Sequence, residues 1–327
     1  MPPLPQSHRG NGTIEPGSKR SVAALCLLLL ACDSRAAGVE DWIQSFAQSD
    51  FRFNRSTSNA PFAPLAWASY ANYGNTDFSV PGSSGARISY RQASLSEAAM
   101  VPVLINSRDA LVVGEWASLT RFNTDSATLG EFDALSISVP LGWGRQASEK
   151  WQYAAFVAPM GHKASLGNSP WYWEYLGGAF ARYTASDSVS WVYGLYVDLS
   201  PVENFYIPYI GANWIINPKW TLCAIMPWPA VLYAPTADTF FRFGVAPTGS
   251  SWALQPKTNQ VELNLDAWNL GVSMEHRVHG RLWARIEAGI SGMRGISIAS
   301  GQLNNPDSGL GTAPYVSVGI TFRPAMR

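Results

Sequence analysis

Four histidines are the side chains of this sequence best suited to acid–base or metal chemistry, and their placement offers little of either. His8 lies near the N-terminus, His162 in a stretch that reads as a long loop, and His276 and His279 beside a tight turn. His276 shares the parity of an apolar row, so it does not present an inward base. No pair of histidines has metal-ligand spacing, and no G-x-S-x-G nucleophile motif occurs. The run Asn304-Asn305-Pro306-Asp307 carries oxygens that could hold calcium, but an ordinary polar turn explains it more simply. No catalytic residue, metal site or cofactor is therefore expected.

Charge placed in register is the stronger signal. Arg182, Arg242, Arg281, Arg285 and Arg323, with Glu115, Glu174, Glu275 and Glu287, fall on the parity opposite apolar rows. If those rows are strands, the charged side chains share one face and can either line a pore or pair across an interior and fill it.

The elements that would position them are period-two segments of about 8 to 12 residues, separated by turns, from about Ala66 onward. In "FDALSISVPLGW", Leu135, Ile137, Val139, Leu141 and Trp143 form the apolar row. In "AWNLGVSMEHR", Trp268, Leu270, Val272 and Met274 oppose Asn269, Ser273, Glu275 and Arg277. In "RLWARIEAGI", Leu282, Ala284, Ile286, Ala288 and Ile290 oppose Arg281, Arg285 and Glu287. The polar row excludes a strand buried on both faces.

The run "YIPYIGANWIINPKWTLCAIMPW" adds a length to this pattern. Tyr206, Pro208, Ile210, Ala212 and Trp214 form one apolar row, and Trp220, Leu222, Ala224, Met226 and Trp228 the other. Each begins and ends on an aromatic ring. A row of that length is ~26 Å long at ~3.3 Å per residue. Tilted by ~40°, it covers about 20 Å of height, close to the ~25 Å apolar band of a transmembrane β-barrel. The reading is a hairpin turning at Asn217-Pro218-Lys219, with Tyr206, Trp214, Trp220 and Trp228 as an aromatic girdle and Cys223 pointing inward. A soluble β-sandwich is the rival, but it gives no reason for aromatics at both ends of each row.

Composition agrees with the barrel. Aromatics make up 13% and charged residues 14% of the 327 residues, against ~25% charged in a typical soluble domain. Net charge is zero, which leaves no footprint for nucleic acid. Lys19 and Arg20 precede the apolar run Val22 to Ala31, and Ser34-Arg35-Ala36 supplies small residues for cleavage, so 1–36 reads as an export signal. A rival reading is a lipoprotein box ending at Cys32. After the Ala36 cut only Cys223 remains, which excludes an internal disulfide. Residues 37–65 read as a linker or short plug-like segment, 66–324 as the barrel and 325–327 as a tail.

Short turns at Ser186-Asp187, Asn217-Pro218-Lys219 and Val278-His279-Gly280 alternate with longer stretches at Gly161 to Trp171, Pro247 to Asn259 and Gly292 to Thr312. This asymmetry is that of an outer-membrane barrel. The expected fold is an antiparallel all-β barrel of about 12 strands, with 10 and 14 as alternatives. Two segments, Ala99 to Leu104 and Val231 to Tyr233, are ambiguous between strand and loop.

The runs "YIPYIGANWIINPKWTLCAIMPWPAVLYAP", "FFRFGVAPTGSSW", "RLWARIEAGISGMRGISI" and "PYVSVGITFRP" together resemble a bacterial outer-membrane β-barrel family of unknown function, over about residues 65 to 324. The resemblance implies a barrel in the outer membrane, surrounded by lipid, and brings no substrate. Ser317, Gly319 and Phe322 also resemble the C-terminal signal read by barrel-assembly machinery, although "RPAMR" follows the aromatic residue. The expected functions are a channel or transporter for small solutes, lined by Arg182, Arg242, Arg281, Arg285, Glu287 and Arg323, or a non-conducting structural or surface-binding barrel with a filled lumen.

Overall fold

The computed structural model describes residues 45, 48–52, 57–79, 87–125, 130–200, 204–254, 261–298 and 311–324. The export signal with its Ala36 cut, the Cys32 alternative, the Asn304–Asp307 run and the tail 325–327 lie outside the described residues.

Fifteen strand segments follow in order: β1 (Ala66–Ser79), β2 (Arg87–Leu104), β3 (Asp109–Thr124), β4 (Glu131–Ser138), β5 (Leu141–Gln146), β6 (Trp151–Ala164), β7 (Tyr172–Thr184), β8 (Val189–Leu199), β9 (Asn204–Asn217), β10 (Trp220–Met226), β11 (Ala230–Thr236), β12 (Thr239–Leu254), β13 (Val261–His279), β14 (Leu282–Ile298) and β15 (Gly311–Phe322). Each pairs antiparallel with its neighbours, and β15 returns to β1, so the sheet closes on itself. The segments β4 and β5 are one stave. β3 pairs with both without a register shift (Trp116↔Ser138, Val113↔Leu141), and β6 does the same (Ser138↔Met160, Leu141↔Val157). The break falls at Pro140, which has no N–H for a ladder, while its carbonyl accepts from Gly114 N at 2.9 Å.

The barrel therefore has 14 staves, not 12. Both ambiguous segments belong to strands: Ala99 to Leu104 completes β2, and Val231 to Tyr233 lies in β11. β11 spans only seven residues, too few for a clear period. The stretches read as long connections are also partly strand, since β6 runs to Ala164, β12 to Leu254 and β14 to Ile298.

At one end of the staves every connection has two to four residues, whereas at the other they run from three (β10–β11) to twelve (β14–β15). The hairpin from β9 to β10 turns at Pro218-Lys219, where Asn217 Oδ1 accepts from the N–H groups of Lys219 (2.9 Å) and Trp220 (3.0 Å). An Asn side chain that bonds the backbone two and three residues on holds the chain in a turn.

Apolar rows face outward around the wall. Ile210, Trp214, Met226, Val272, Ile286 and Val318 are all exposed, as a lipid-matched exterior requires. Trp220, Tyr233 and Phe241 form an outer aromatic ladder near the turn end. Three of the four girdle residues, Tyr206, Trp214 and Trp220, stand on this face. Trp228 departs from its expected row. β10 ends at Met226 because Pro227 cannot donate to the next rung. Trp228 spans the wall instead: its indole N–H is given to inward Tyr209, and its ring meets the edge of outward Trp268 at 4.8 Å.

Closure makes a direct expectation. Unboiled protein in detergent should migrate faster than boiled protein on a gel; identical migration would contradict a closed ladder.

Candidate functional site in the barrel interior

All six residues expected inside lie on inward rows. Arg285 and Glu287 alternate with outward Ile286, Arg281 is on the same parity as Trp283, and Arg242 lies opposite inward Leu232. Arg182 donates from Nη1 to Gln152 Oε1 at 3.0 Å, and Arg242 from Nη2 to the Val245 carbonyl at 3.0 Å. The six do not form one ring; they divide among separate clusters.

The most buried cluster lies at the turn end. Arg323 donates through Nε (3.1 Å) and Nη2 (2.7 Å) to Glu275 Oε2, which also accepts from Thr321 Oγ1 at 3.0 Å. Their side chains are 8% and 4% exposed. The guanidinium lies 5.0 Å over Phe240 and 5.9 Å from the Trp283 ring. A buried ion pair of this kind is sustained only when its remaining hydrogen bonds are satisfied. Here Arg323 Nη1 bonds the Phe62 carbonyl, in the segment before β1.

The second cluster is built on glycines. Gly244, Gly271 and Gly289 stand opposite one another in register across β12, β13 and β14. A side chain at Gly271 would collide with the Tyr315 hydroxyl, so glycine there makes room for the ring. Tyr315 stacks on Tyr73 at 5.5 Å and donates to Glu287 Oε1 at 2.6 Å, while Arg285 pairs with the other Glu287 oxygen.

The third was missed from sequence. His162 is not in a loop but on β6, facing inward and fully buried. Its Nδ1 lies 2.7 Å from Ser136 Oγ and its Nε2 3.2 Å from Glu174 Oε1. The residue types are those of a nucleophile, base and acid. All three side chains are buried, with His162 fully so. Tyr90, Phe122, Phe132, Met160 and Tyr172 are buried in the same part of the barrel, and β12 approaches β6 across the interior. The partners come from three separate strands, so no local motif could reveal them.

Glu115 corrects another expectation. The register of β3 turns Ser118, Thr120 and Phe122 inward, with Ser118 bonded to Ser96 and Thr120 to Ser94. That parity sends Glu115 to the outer face.

The segment before β1 crosses the turn-end mouth. Asp50 N donates to Ser107 O (2.8 Å) and the Asp50 carboxylate accepts from Arg108 Nε (2.8 Å). Arg52 N donates to Gln146 Oε1 (2.9 Å), and Phe51 reaches the inward face of Gly144. Further on, Asn59 N donates to Pro218 O (2.7 Å) and its Nδ2 to Ala234 O (3.2 Å). The contacts thus run from the β2–β3 and β5–β6 turns to β9–β11 and on to Arg323. This strap bounds a cavity of about 310 Å³ lined by Asp50, Phe51, Arg52, Arg108, Gln146 and Glu149.

No protein-family model matches the chain, and no curated protein does. Among solved structures, it is similar to an outer membrane channel from Pseudomonas putida F1, at 9% identity and TM-score 0.44, over 81% of this chain and 98% of that one. It is also similar to a Pseudomonas aeruginosa FadL homologue, at 11% identity and TM-score 0.43, over 79% and 89%. The translocator domain of the autotransporter NalP from Neisseria meningitidis matches at 8% identity and TM-score 0.37, over 80% and 89%. At these values the likeness adds nothing to the topology that strand pairing gives.

Two outcomes follow from the clusters. Glu275→Leu strands a buried guanidinium and should lower stability by about 3–5 kcal/mol, while adding Arg323→Met restores most of it; urea unfolding in lipid vesicles measures both. The Arg108 hydrogen bond holds the Asp50 carboxyl below its ordinary range. A depressed folded-state value stabilises docking above the unfolded value and is lost as pH falls through the depressed one. Hydrogen-exchange protection of the Asp50 amide should therefore hold above the ordinary carboxyl value of 3.8 and decline as pH falls below it, and constant protection would refute the coupling.

Proposed function

We propose that the protein is an outer-membrane channel for small solutes whose periplasmic mouth is closed by its own N-terminal segment. The observation that carries this reading is Ala154, an inward residue between Gly144 and Phe180 that is nonetheless solvent-exposed. A wall of 14 staves encloses more width than small side chains fill. Gly142, Gly144 and Ala154 line that part of the interior with small residues, whereas the Phe156 and Phe180 rings fill the space over Gly178 and Gly194, and Tyr90, Phe122, Phe132 and Tyr172 occupy the loop-end part.

The short turns belong on the periplasmic side in this reading. Trp214 and Trp220 then mark the inner lipid boundary, and Tyr206 and Trp268 the outer one. Arg182, Arg242, Arg281, Arg285 and Glu287 give the passage its charge, while Arg323 is taken up by Glu275 at the turn end. The export signal and the assembly signal at Ser317, Gly319 and Phe322 belong to the same reading. Residues 48–52 and 57–65 act as the strap.

Single-channel recording in planar bilayers tests this. The full chain should open rarely, and a variant lacking residues 37–62 should give frequent discrete steps. Silence from both would favour the non-conducting barrel with a filled lumen.

A further inference from the structure

The outer face of β1–β3 breaks the rule that the rest of the wall obeys. Glu97 on β2 pairs in register with Ala117, and Glu115 on β3 pairs with Ala99, so the two carboxylates are diagonal neighbours on adjacent strands. Both point outward. The partner row through Glu97 reads Ile320, Ala68, Glu97, Ala117, Ile137, and that through Glu115 reads Phe322, Ala66, Ala99, Glu115. Exposed Leu95 and Leu119 lie on one side of the pair, and exposed Val101 and Val113 on the other. Glu115 stands six residues from Asp109 at the foot of β3. At ~3.3 Å per residue and ~40° tilt it is about 15 Å above the turn, near the middle of a ~25 Å apolar band.

Neither carboxylate has a hydrogen-bond or ion-pair partner among the described residues. Two like charges side by side in lipid repel each other and lack the water that would screen them. Ala66, Ala68, Ala99 and Ala117 surround them with a flat surface that another backbone can approach closely.

We propose that this face docks a membrane-embedded protein partner that carries an arginine or lysine at mid-bilayer depth. One guanidinium between the diagonal carboxylates would offer charge-assisted hydrogen bonds to both and relieve their repulsion. A second copy of this chain does not supply that group. Among the described residues, the outward basic side chains Arg91, Arg121 and Lys163 lie toward the loop end, and Arg145 near the turn end. A two-fold dimer through this patch would bring four carboxylates together. The proposal needs the barrel to sit in a membrane and is independent of whether it conducts.

The test reconstitutes the labelled full-length protein in phosphatidylcholine vesicles with a Leu/Ala transmembrane helix carrying one central arginine, or the same helix with leucine there. Energy transfer should report association with the arginine helix roughly tenfold stronger than with the leucine helix. The difference should vanish in Glu97→Gln/Glu115→Gln, with heat-modifiable migration confirming that the variant folds. Equal binding of the two helices, or an arginine preference that persists in the variant, overturns the proposal. Self-association of the wild type that the variant loses also overturns it, in favour of a second copy.

Discussion

Closure of the backbone ladder is the constraint on which the rest of this structure depends. Lipid cannot hydrogen-bond an exposed N–H or C=O, so a sheet in a bilayer must satisfy every rung internally. Pairing of β15 with β1 does this at the seam. The weakest stretch lies where β10 and β11 are only seven residues each, between β9 of 14 and β12 of 16. Beyond Ile210 and Gly244 the flanking strands lose those partners. The Pro227-Trp228-Pro229 link bridges the start of that gap, with Pro229 O accepting from Val245 N and Trp228 tied to Tyr209 and Trp268.

A closed wall turns one row of every strand inward, and the interior then has to manage its own charge. It does so in local groups: Glu275 with Arg323, Glu287 with Arg285, Glu174 with His162. Each group is completed by a hydroxyl, from Thr321, Tyr315 or Ser136. Local pairing lets charges sit inside a low-dielectric wall at tolerable cost. It also means that the turn-end mouth is not shut by the wall alone. The strap contributes there, and Arg323 links it to the Glu275 cluster through the Phe62 carbonyl.

Outside, the same alternation yields an apolar surface on which a polar residue is conspicuous. Asn72 and Arg121 lie toward the loop ends of their strands, where headgroups and water can reach. Glu97 and Glu115 do not have that relief. Their position follows from the parity that Ser94, Ser96, Ser118 and Thr120 impose by bonding across β2 and β3 on the inner face.

Period-two rows such as Leu282 to Ile290 and Trp268 to Met274 determined strand direction and facing by themselves, because alternation in a half-buried strand allows one assignment. The hairpin at Asn217 was equally readable, since Asn, Pro and Lys between two apolar rows leave few turns. Stave number was not: β11 is too short to show a period, and Pro140 interrupts a stave without ending it. Glu115 was misplaced because "LVVGEWASL" has apolar residues on both parities, and only the β2 partners choose between them. Trp228 left its row because Pro227 ends the ladder there. His162, Ser136 and Glu174 are 12 to 38 residues apart and meet only because three strands share a register. Sequence alone thus determined that this chain forms a wall with one apolar and one polar face; the tertiary structure decided which polar groups meet, because partners across strands are set by register rather than by spacing along the chain.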